Sequence, residues 1–298
     1  MRVLVTGGAG FIASHVVDAA LEAGHRVRVM DLARSAKGES FQGDMANLED
    51  CLEATKGIDG VCHLAGVGDV YLAMREPWTA ATRNVLATAN LMEACLRNGV
   101  KRVVYTSTWE VYGKPYYEPV DEEHPCNPDH FYNITKLAGE RIALAYNELK
   151  GMPAIALRLG TAYGTRMRPN TVFAIFITRA MKGEPIIIKG SGEQFRQFTH
   201  TSDIARAFLT ALASNLHGES FNIISPEKVS INRLAQLVTK RLPTAVVHEE
   251  QRAGEIMPAY ISPEKARRSL GWEAQVEFED GLSELIDYYL AQGQAKAS

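Results

Sequence analysis

The sequence predicts an α/β protein: a Rossmann-type, doubly wound parallel sheet with a smaller, interleaved C-terminal α/β domain. Short apolar strand patterns alternate with longer helical patterns from the first residues onward. A glycine-rich turn joins the first strand to the first helix, and an acidic residue closes the second strand. With 298 residues, 46% hydrophobic and 22% charged, the chain has the length and balance of an ordinary globular protein rather than a disordered one.

Met1 to Val5 reads as the opening strand, which leaves no room for a signal peptide. It runs into Thr6-Gly7-Gly8-Ala9-Gly10-Phe11-Ile12-Ala13 and then a helical pattern with Ile12, Val16, Ala19, Ala20 and Ala23 on one side, ending at Gly24. A second strand, Val27 to Met30, stops at Asp31. Each part of this order has a physical task. Glycines at 7, 8 and 10 permit a tight turn and let the backbone approach a pyrophosphate, and the N–H groups at the helix start face its negative charge. Ala13 is small enough for close helix–strand packing. Asp31 lies 21 positions after Gly10, where a carboxylate accepts ribose hydroxyls. A 2′-phosphate beside Asp31 would meet like charge, so NAD is expected as cofactor rather than NADP, although Arg34 nearby leaves the second open.

Gly43-Asp44 follows a loop and precedes a helix near Leu48 to Ala54; Gly60 to Gly66 is the next strand. Asp44 is placed either to accept from the adenine amine or to hold its own turn. His63, within an apolar strand, is expected to be a packed core histidine.

The strand Val100 to Thr108 ends in hydroxyl residues, and chemistry in a doubly wound sheet collects at such carboxyl ends. The helical segment Phe131 to Glu140 then places Tyr132 and Lys136 four apart, one turn along a single face. An ammonium near a phenol favours the phenolate, so Lys136 is expected to draw the Tyr132 pKa below its usual value of about 10. A tyrosine so poised takes the proton from a sugar hydroxyl while hydride leaves the same carbon. Thr108 is placed to hold the same oxygen in line.

These residues resemble the extended short-chain dehydrogenase/reductase family, and within it the nucleotide-sugar epimerases and dehydratases of UDP-glucose 4-epimerase type. Thr6 to Ala13 is similar to the family's TGGxGFIG loop, His63 to Gly66 to its HLAA strand end, Ser107 to Gly113 to its VYG segment, and Tyr132 to Lys136 to its YxxxK. Asn84 stands where the family keeps a helix asparagine. In the second half, Leu157 to Arg166 resembles LRxxNxYGPR, Gly190 to Asp203 resembles GxGxQxRxFxxVxD, Arg252 to Glu255 resembles RxGD, and Leu270 to Trp272 resembles LGW.

The resemblance implies Thr108, Tyr132, Lys136 and Glu110 as catalytic residues. It implies Gly7, Gly10, Phe11, Ile12, Asp31, Asp44, Met45, Leu64, Ala65 and Gly66, with Tyr132 and Lys136, around the cofactor. For the substrate it implies Thr108, Trp109, Thr161, Arg196 and Arg252, the two arginines contacting the nucleotide diphosphate and its ribose. A planar guanidinium suits phosphate oxygens because it pairs them in two places. Thr161 replaces an asparagine of the family pattern and Thr165 a proline, so the substrate pose does not transfer unchanged.

The implied activity is that of an NAD-dependent nucleotide-sugar 4-epimerase working through a transient 4-keto sugar, a UDP-sugar first. Glu110 complicates the choice, because Ser107-Thr108-Trp109-Glu110 is also similar to the STDE of 4,6-dehydratases and the STSE of UDP-glucuronate decarboxylases. Trp109 stands where dehydratases have their aspartate, and Arg252 to Glu255 has the epimerase form. A dinucleotide-binding protein without turnover is the reading of another class. The implied domains are 1–160 with 195–224 for NAD, and 161–194 with 225–298 for the nucleotide sugar. Members of the family pair the helices that correspond to those near Pro77 to Asn98 and Phe131 to Lys150 across a four-helix bundle, so the resemblance implies a homodimer.

Charge and cysteine usage narrow the partners. A net charge of −3 offers no basic surplus for nucleic acid or anionic lipid. Cys51, Cys62, Cys95 and Cys126 form neither a CxxC pair nor a zinc spacing, so no metal and a reducing, cytoplasmic setting are expected. No apolar run reaches the roughly 18 residues of a membrane span.

Overall fold

The computed structural model describes residues 1–250 and 259–297. Its strands, in chain order, are β1 (Arg2–Thr6), β2 (Arg26–Asp31), β3 (Glu39–Gln42), β4 (Gly60–His63), β5 (Arg102–Thr108), β6 (Ala154–Leu159), β7 (Thr161–Tyr163), β8 (Ile186–Lys189), β9 (Phe195–Arg196), β10 (Phe198–His200), β11 (Glu219–Ile223), β12 (Val229–Ser230) and β13 (Val246–Glu249). Seven of these form one sheet in the order β11-β6-β5-β4-β1-β2-β3. Every neighbouring pair in it is parallel. The chain builds outward from β1 to β3, then returns to lay β4 on the other side of β1. The crevice at that switch lies outside the carboxyl ends of β1 and β4, where ligands of open α/β sheets bind.

Helices cover both faces, which is why the central strands read as unbroken apolar runs. On one face α1 (Phe11–Glu22) packs with α8 (Thr201–Ala213) over a core that includes Val5, Val16, Val29, Ile155, Phe208 and Phe221. On the other, α2 (Leu48–Thr55), α5 (Ala87–Arg97) and α6 (Phe131–Lys150) enclose Leu4, Met30, Leu91, Met92 and Tyr105. The expected helix from Pro77 to Asn98 is not uniform. After α3 (Val70–Arg75), α4 (Pro77–Ala81) passes into a π-helical turn, Thr82–Leu86, before α5 begins. A π turn widens the ladder by one residue and re-aims a side chain, and the side chain inside it is the buried Asn84.

The rest of the chain forms a second layer of α7 (Val172–Met181), α9 (Ile231–Arg241) and α10 (Phe278–Ala297) with three two-stranded sheets. β7 pairs with β10, β9 with β12 and β8 with β13, so each small sheet joins segments far apart in sequence. Phe173, Phe176, Phe198, Leu234, Phe278 and Leu285 fill its core. Between these excursions the chain returns to the large sheet as α8 and β11. Among the described residues, no helix is long and apolar enough to cross a membrane.

The buried face of α6 is unusually polar: Asn133, Thr135, Lys136, Gly139, Glu140 and Ala143. Gly139 sets how close this helix lies to the sheet. A Cβ there would stand 2.2 Å from the Tyr105 hydroxyl oxygen and 2.8 Å from the Asn84 carbonyl oxygen. Both are held within the core, so Gly139→Ala is expected to cost roughly 1–3 kcal/mol as overpacking. A lower urea midpoint, with reduced activity as α6 moves off the sheet, is the measurement that checks it.

Candidate active site

Backbone bonds draw the glycine turn tight: Gly7 N–H donates to Met30 O at 2.8 Å and Gly10 N–H to Gly7 O at 2.8 Å. Gly7 has φ +70°, and a Cβ there would meet the Ala65 backbone at 2.8 Å. Only glycine lets the β1 turn rest against the end of β4. Gly10 begins α1 and caps it with no side-chain hydrogen bond, which leaves the first-turn N–H groups for an anion. Asp31 Oδ2 accepts from Ala9 N at 3.0 Å and Oδ1 from Ala33 N at 3.1 Å, so the carboxylate is fixed beside that turn. A pyrophosphate over the glycines and a ribose at Asp31 fit this cradle. Asp44 takes up its turn, accepting from Ala46 N at 2.9 Å, and is paired with Arg83. Met45 and Ile12 pack into the cores on opposite faces of the sheet, while Phe11 packs against the second layer.

His63 is the core histidine expected from its strand, and its partners fix its tautomer. Thr88 donates its hydroxyl to Asn84 O at 2.7 Å, so it accepts from His63 Nε2 at 3.0 Å. Nδ1 is then the acceptor, at 2.8 Å from the Thr6 hydroxyl. Burial, assisted by the Lys136 charge, pushes His63 down to about 3, which keeps it neutral. Thr6 Oγ1 also accepts from Leu64 N and Ala65 N, tying β1 to the exit of β4. Beyond it, the Asn84 side chain bonds Val67 N at 2.8 Å, Val67 O at 3.2 Å and Thr135 Oγ1 at 3.0 Å. One side chain thus joins the Leu64-Ala65-Gly66 strand end to α6.

Thr108 ends β5, and its hydroxyl accepts from Glu110 N at 3.3 Å in the short turn Trp109–Tyr112. Its hydroxyl also acts on the Tyr132 phenol, favouring the ionised form. Tyr132 packs against Val67, Ala73 and Ala80, and Lys136 one turn later is 6% exposed with its Nζ 4.8 Å from the Tyr105 ring centre. Thr108, Tyr132, Lys136 and Glu110 are therefore gathered at the carboxyl edge of the sheet, beside the glycine turn.

The electrostatics differ from the expectation that Lys136 draws Tyr132 down. Burial raises the Tyr132 phenol well above its ordinary value, and the Glu110 carboxylate raises it further; the Thr108 hydrogen bond and the Arg168 charge oppose them. Burial likewise pushes Lys136 down to about 8, against the pull of Glu140. Desolvation is the largest cause for each side chain, and it disfavours both charged forms.

Glu140, one turn beyond Lys136, is fully buried and paired to Arg158 of β6 at 2.6 Å. Ser107 of β5 and Ser220 of β11 donate to the same carboxylate, and Arg158 donates to the Tyr112 hydroxyl at 2.8 Å. Burial alone would raise Glu140, but the Arg158 charge and these donors win and hold it below its ordinary 4.5. Trp109 packs against the cluster of Tyr112, Val120, Ile224, Ala259 and Ile261.

The substrate candidates Thr161 and Arg196 lie apart from this centre in sequence but share the wall of a cavity of about 450 Å³. Asn170, Phe176, Lys189 and Gln194 line it as well. None of these four is among the substrate candidates of the sequence, although Gln194 is the glutamine of its GxGxQxR segment. Lys189 and Gln194 flank the Gly190-Ser191-Gly192 turn, which was the available signal, whereas Asn170 and Phe176 carried none. Arg252 lies outside the described residues.

Residues 3–223 match the family model described as the NAD dependent epimerase/dehydratase family. A putative UDP-glucose 4-epimerase of Methanocaldococcus jannaschii is 32% identical over 96% of this chain and 97% of its own length. A dTDP-glucose 4,6-dehydratase of Streptomyces niveus is 30% identical over 97% of this chain and 93% of its own. Among solved structures, the UDP-glucose 4-epimerase of Thermotoga maritima with UDP-glucose superposes with a TM-score of 0.92 at 30% identity, covering 98% of this chain and 99% of the other.

Removing Glu140 leaves Arg158 buried without a counter-charge. Glu140→Ala is expected to cost about 3–5 kcal/mol, the usual loss for half of a buried pair. Because the folded-state value is depressed, this stabilisation is present above pH 4.5 and is lost as pH falls through the folded value. Urea unfolding across pH 3 to 7 (roughly the span of both values) should show the wild-type midpoint dropping on the acid side and a flatter profile in Glu140→Gln.

Proposed function

This chain belongs to the NAD dependent epimerase/dehydratase family, and we propose that within it the protein is a nucleotide-sugar 4-epimerase acting through a transient 4-keto sugar, with a UDP-sugar as substrate. The observation that carries this reading is the packing of Trp109. The position at which dehydratases are expected to hold an aspartate is taken by an indole packed against Tyr112 and Ile224, so the second proton donor of an elimination is missing. The Methanocaldococcus and Thermotoga relatives, both named UDP-glucose 4-epimerases, support the same choice.

In this mechanism Gly7, Gly10 and the start of α1 hold the cofactor's pyrophosphate, and Asp31 its ribose. Leu64, Ala65 and Gly66 form the adjoining wall. When bound, NAD supplies the hydride acceptor, and later the donor, at sugar C4. Tyr132 takes the C4 hydroxyl proton, with the Thr108 hydroxyl holding the same oxygen. The Lys136 ammonium, which burial lowers to about 8, favours the phenolate once the pocket is polar. Arg196 and Thr161 hold the nucleotide diphosphate in their cavity, and Arg252 is proposed to join them. Residues 1–160 with 195–224 then serve the cofactor, and 161–194 with 225–298 the sugar nucleotide.

Glu110 favours a second reading. A carboxylate beside Tyr132 is the group a 4,6-dehydratase or a uronate decarboxylase uses in its second stage, and the Streptomyces relative carries the former name. A homodimer is proposed through α4, the π turn after it, α5 and α6, a surface on which Trp78, Leu86, Ile134 and Leu149 lie exposed. The four cysteines, all free thiols, suit a cytoplasmic protein.

Product mass and proton NMR with UDP-, dTDP- and GDP-sugars test the reaction: an isomer of unchanged mass is expected, and loss of water or carbon dioxide would shift the assignment to Glu110 chemistry. Tyr132→Phe should abolish turnover while sparing NAD binding. Sedimentation at micromolar concentration should give a dimer, and charging Leu86 and Ile134 together should dissociate it.

A further inference from the structure

His130 does no work for the helix it begins. It occupies the N-cap of α6 in extended conformation (φ −145°, ψ 164°) and makes no side-chain capping bond. Serine, threonine, aspartate or asparagine would satisfy an amide there, so a histidine forgoes that capping bond. Its ring instead lies nearly parallel to that of Tyr132, with centres 6.1 Å apart and planes at 20°. Nε2 points at Glu110 Oε2, 3.6 Å away. Nδ1 is buried and has no hydrogen-bond partner among the described residues.

The position of this imidazole relative to the other charges gives it a use. We propose that His130 is a positioning residue of the catalytic centre: as an imidazolium it carries the counter-charge of Glu110 and so sets the net charge that the Tyr132 phenol faces. The proposal rests on the reading of Tyr132 as the group that accepts the sugar proton.

The charged and titratable groups around the pair can be named element by element. From the turn after β5 comes Glu110, and from the segment before α6 comes Asp129, which accepts from Asn133 at 3.2 Å. α6 itself contributes Tyr132 and Lys136. Across the cleft is Arg168, whose guanidinium holds Asp69 at 3.2 Å and Gly68 O at 3.1 Å. Arg168 and Lys136 are committed elsewhere, the first to Asp69 and the second beneath Tyr132 over the Tyr105 ring. His130 is thus the base in contact with Glu110. The Glu110 contact raises His130 above its ordinary 6.5, against burial, which lowers it, and Asp129 adds to the rise. The N-terminal end of a helix disfavours a cation, so the carboxylates are what hold this one.

The sign follows. Below the raised His130 value the pair is imidazolium and carboxylate, and Tyr132 faces little net charge from it. As pH rises through that value the imidazole becomes neutral, the Glu110 carboxylate is left uncompensated, and it opposes ionisation of the phenol. His130 therefore assists Tyr132 on the acid side, where a phenolate is hardest to form.

The test uses the full chain with NAD. Histidine ring NMR, with His130→Asn to assign the signal, should show His130 titrating above 6.5 in the wild type and falling back in Glu110→Gln. In turnover, a single unit of phenol pKa corresponds to a tenfold change in ionised fraction. His130→Asn is therefore expected to lose about tenfold in kcat at about pH 6, to converge with wild type at about pH 9, and to leave KM unchanged. His130→Lys, which keeps the charge at both, should rescue kcat throughout that range. A His130 signal indifferent to Glu110→Gln, or a His130→Asn profile parallel to wild type, overturns the proposal. Absence of turnover with every nucleotide sugar would sink the functional reading instead, and the ring titration, which needs no turnover, would still decide the pairing.

Discussion

The ion pair between Glu140 and Arg158 is the constraint on which the arrangement of the catalytic centre depends. Both side chains are almost wholly out of water, at 0% and 4% exposure. Burying each ion costs several kcal/mol, repaid only when geometry and further donors are good. Here the carboxylate accepts from Arg158, Ser107 and Ser220, and Arg158 reaches Tyr112. Those partners come from β5, β6, β11 and the turn after β5, so the pair locks α6 to three adjacent strands. Tyr132, Lys136 and Glu140 sit at successive turns of that helix. Where Glu140 is pinned, the other two are placed with it.

The same burial that makes the pair specific makes the proposed catalytic side chains reluctant to ionise. Tyr132 and Lys136 are both pushed toward their neutral forms. A family mechanism that needs a phenolate must therefore draw on charges beyond the lysine, and several stand close by. Arg168 and the Thr108 hydroxyl oppose the rise, Glu110 adds to it, and His130 is positioned to cancel Glu110. The balance among groups a few ångströms apart, rather than any one of them, sets how easily the proton moves.

On the substrate side the constraint is chain connectivity. β7, β9 and β8 each pair with a strand that arrives later in the sequence, and the cavity walls come from residues between Thr161 and Ile231. β6 leads directly into β7, so the end of the large sheet and the beginning of the cavity are covalently continuous. Thr161 of the cavity wall follows two residues after Leu159, the register partner of Thr108, so the proposed sugar-nucleotide cavity and the proposed catalytic centre are tied by a short stretch of chain.

The amino-acid order by itself determined the large sheet, the glycine turn with its acidic partner and the placing of Tyr132 and Lys136 one turn apart on one helix. These rest on local periodicity and fixed spacing along one strand or one helix, which need no knowledge of distant contacts. His63 was legible for the same reason, as a polar residue within an apolar strand. What lies between elements was not. The π turn at Asn84, the Glu140–Arg158 pair, the packed position of Trp109, the four further cavity residues and the stacking of His130 on Tyr132 all depend on which segments meet across tens or hundreds of residues. Even the direction of the Tyr132 shift escaped the sequence: spacing shows that a lysine is one turn away, but only the tertiary structure decides that desolvation and the Glu110 carboxylate raise the phenol.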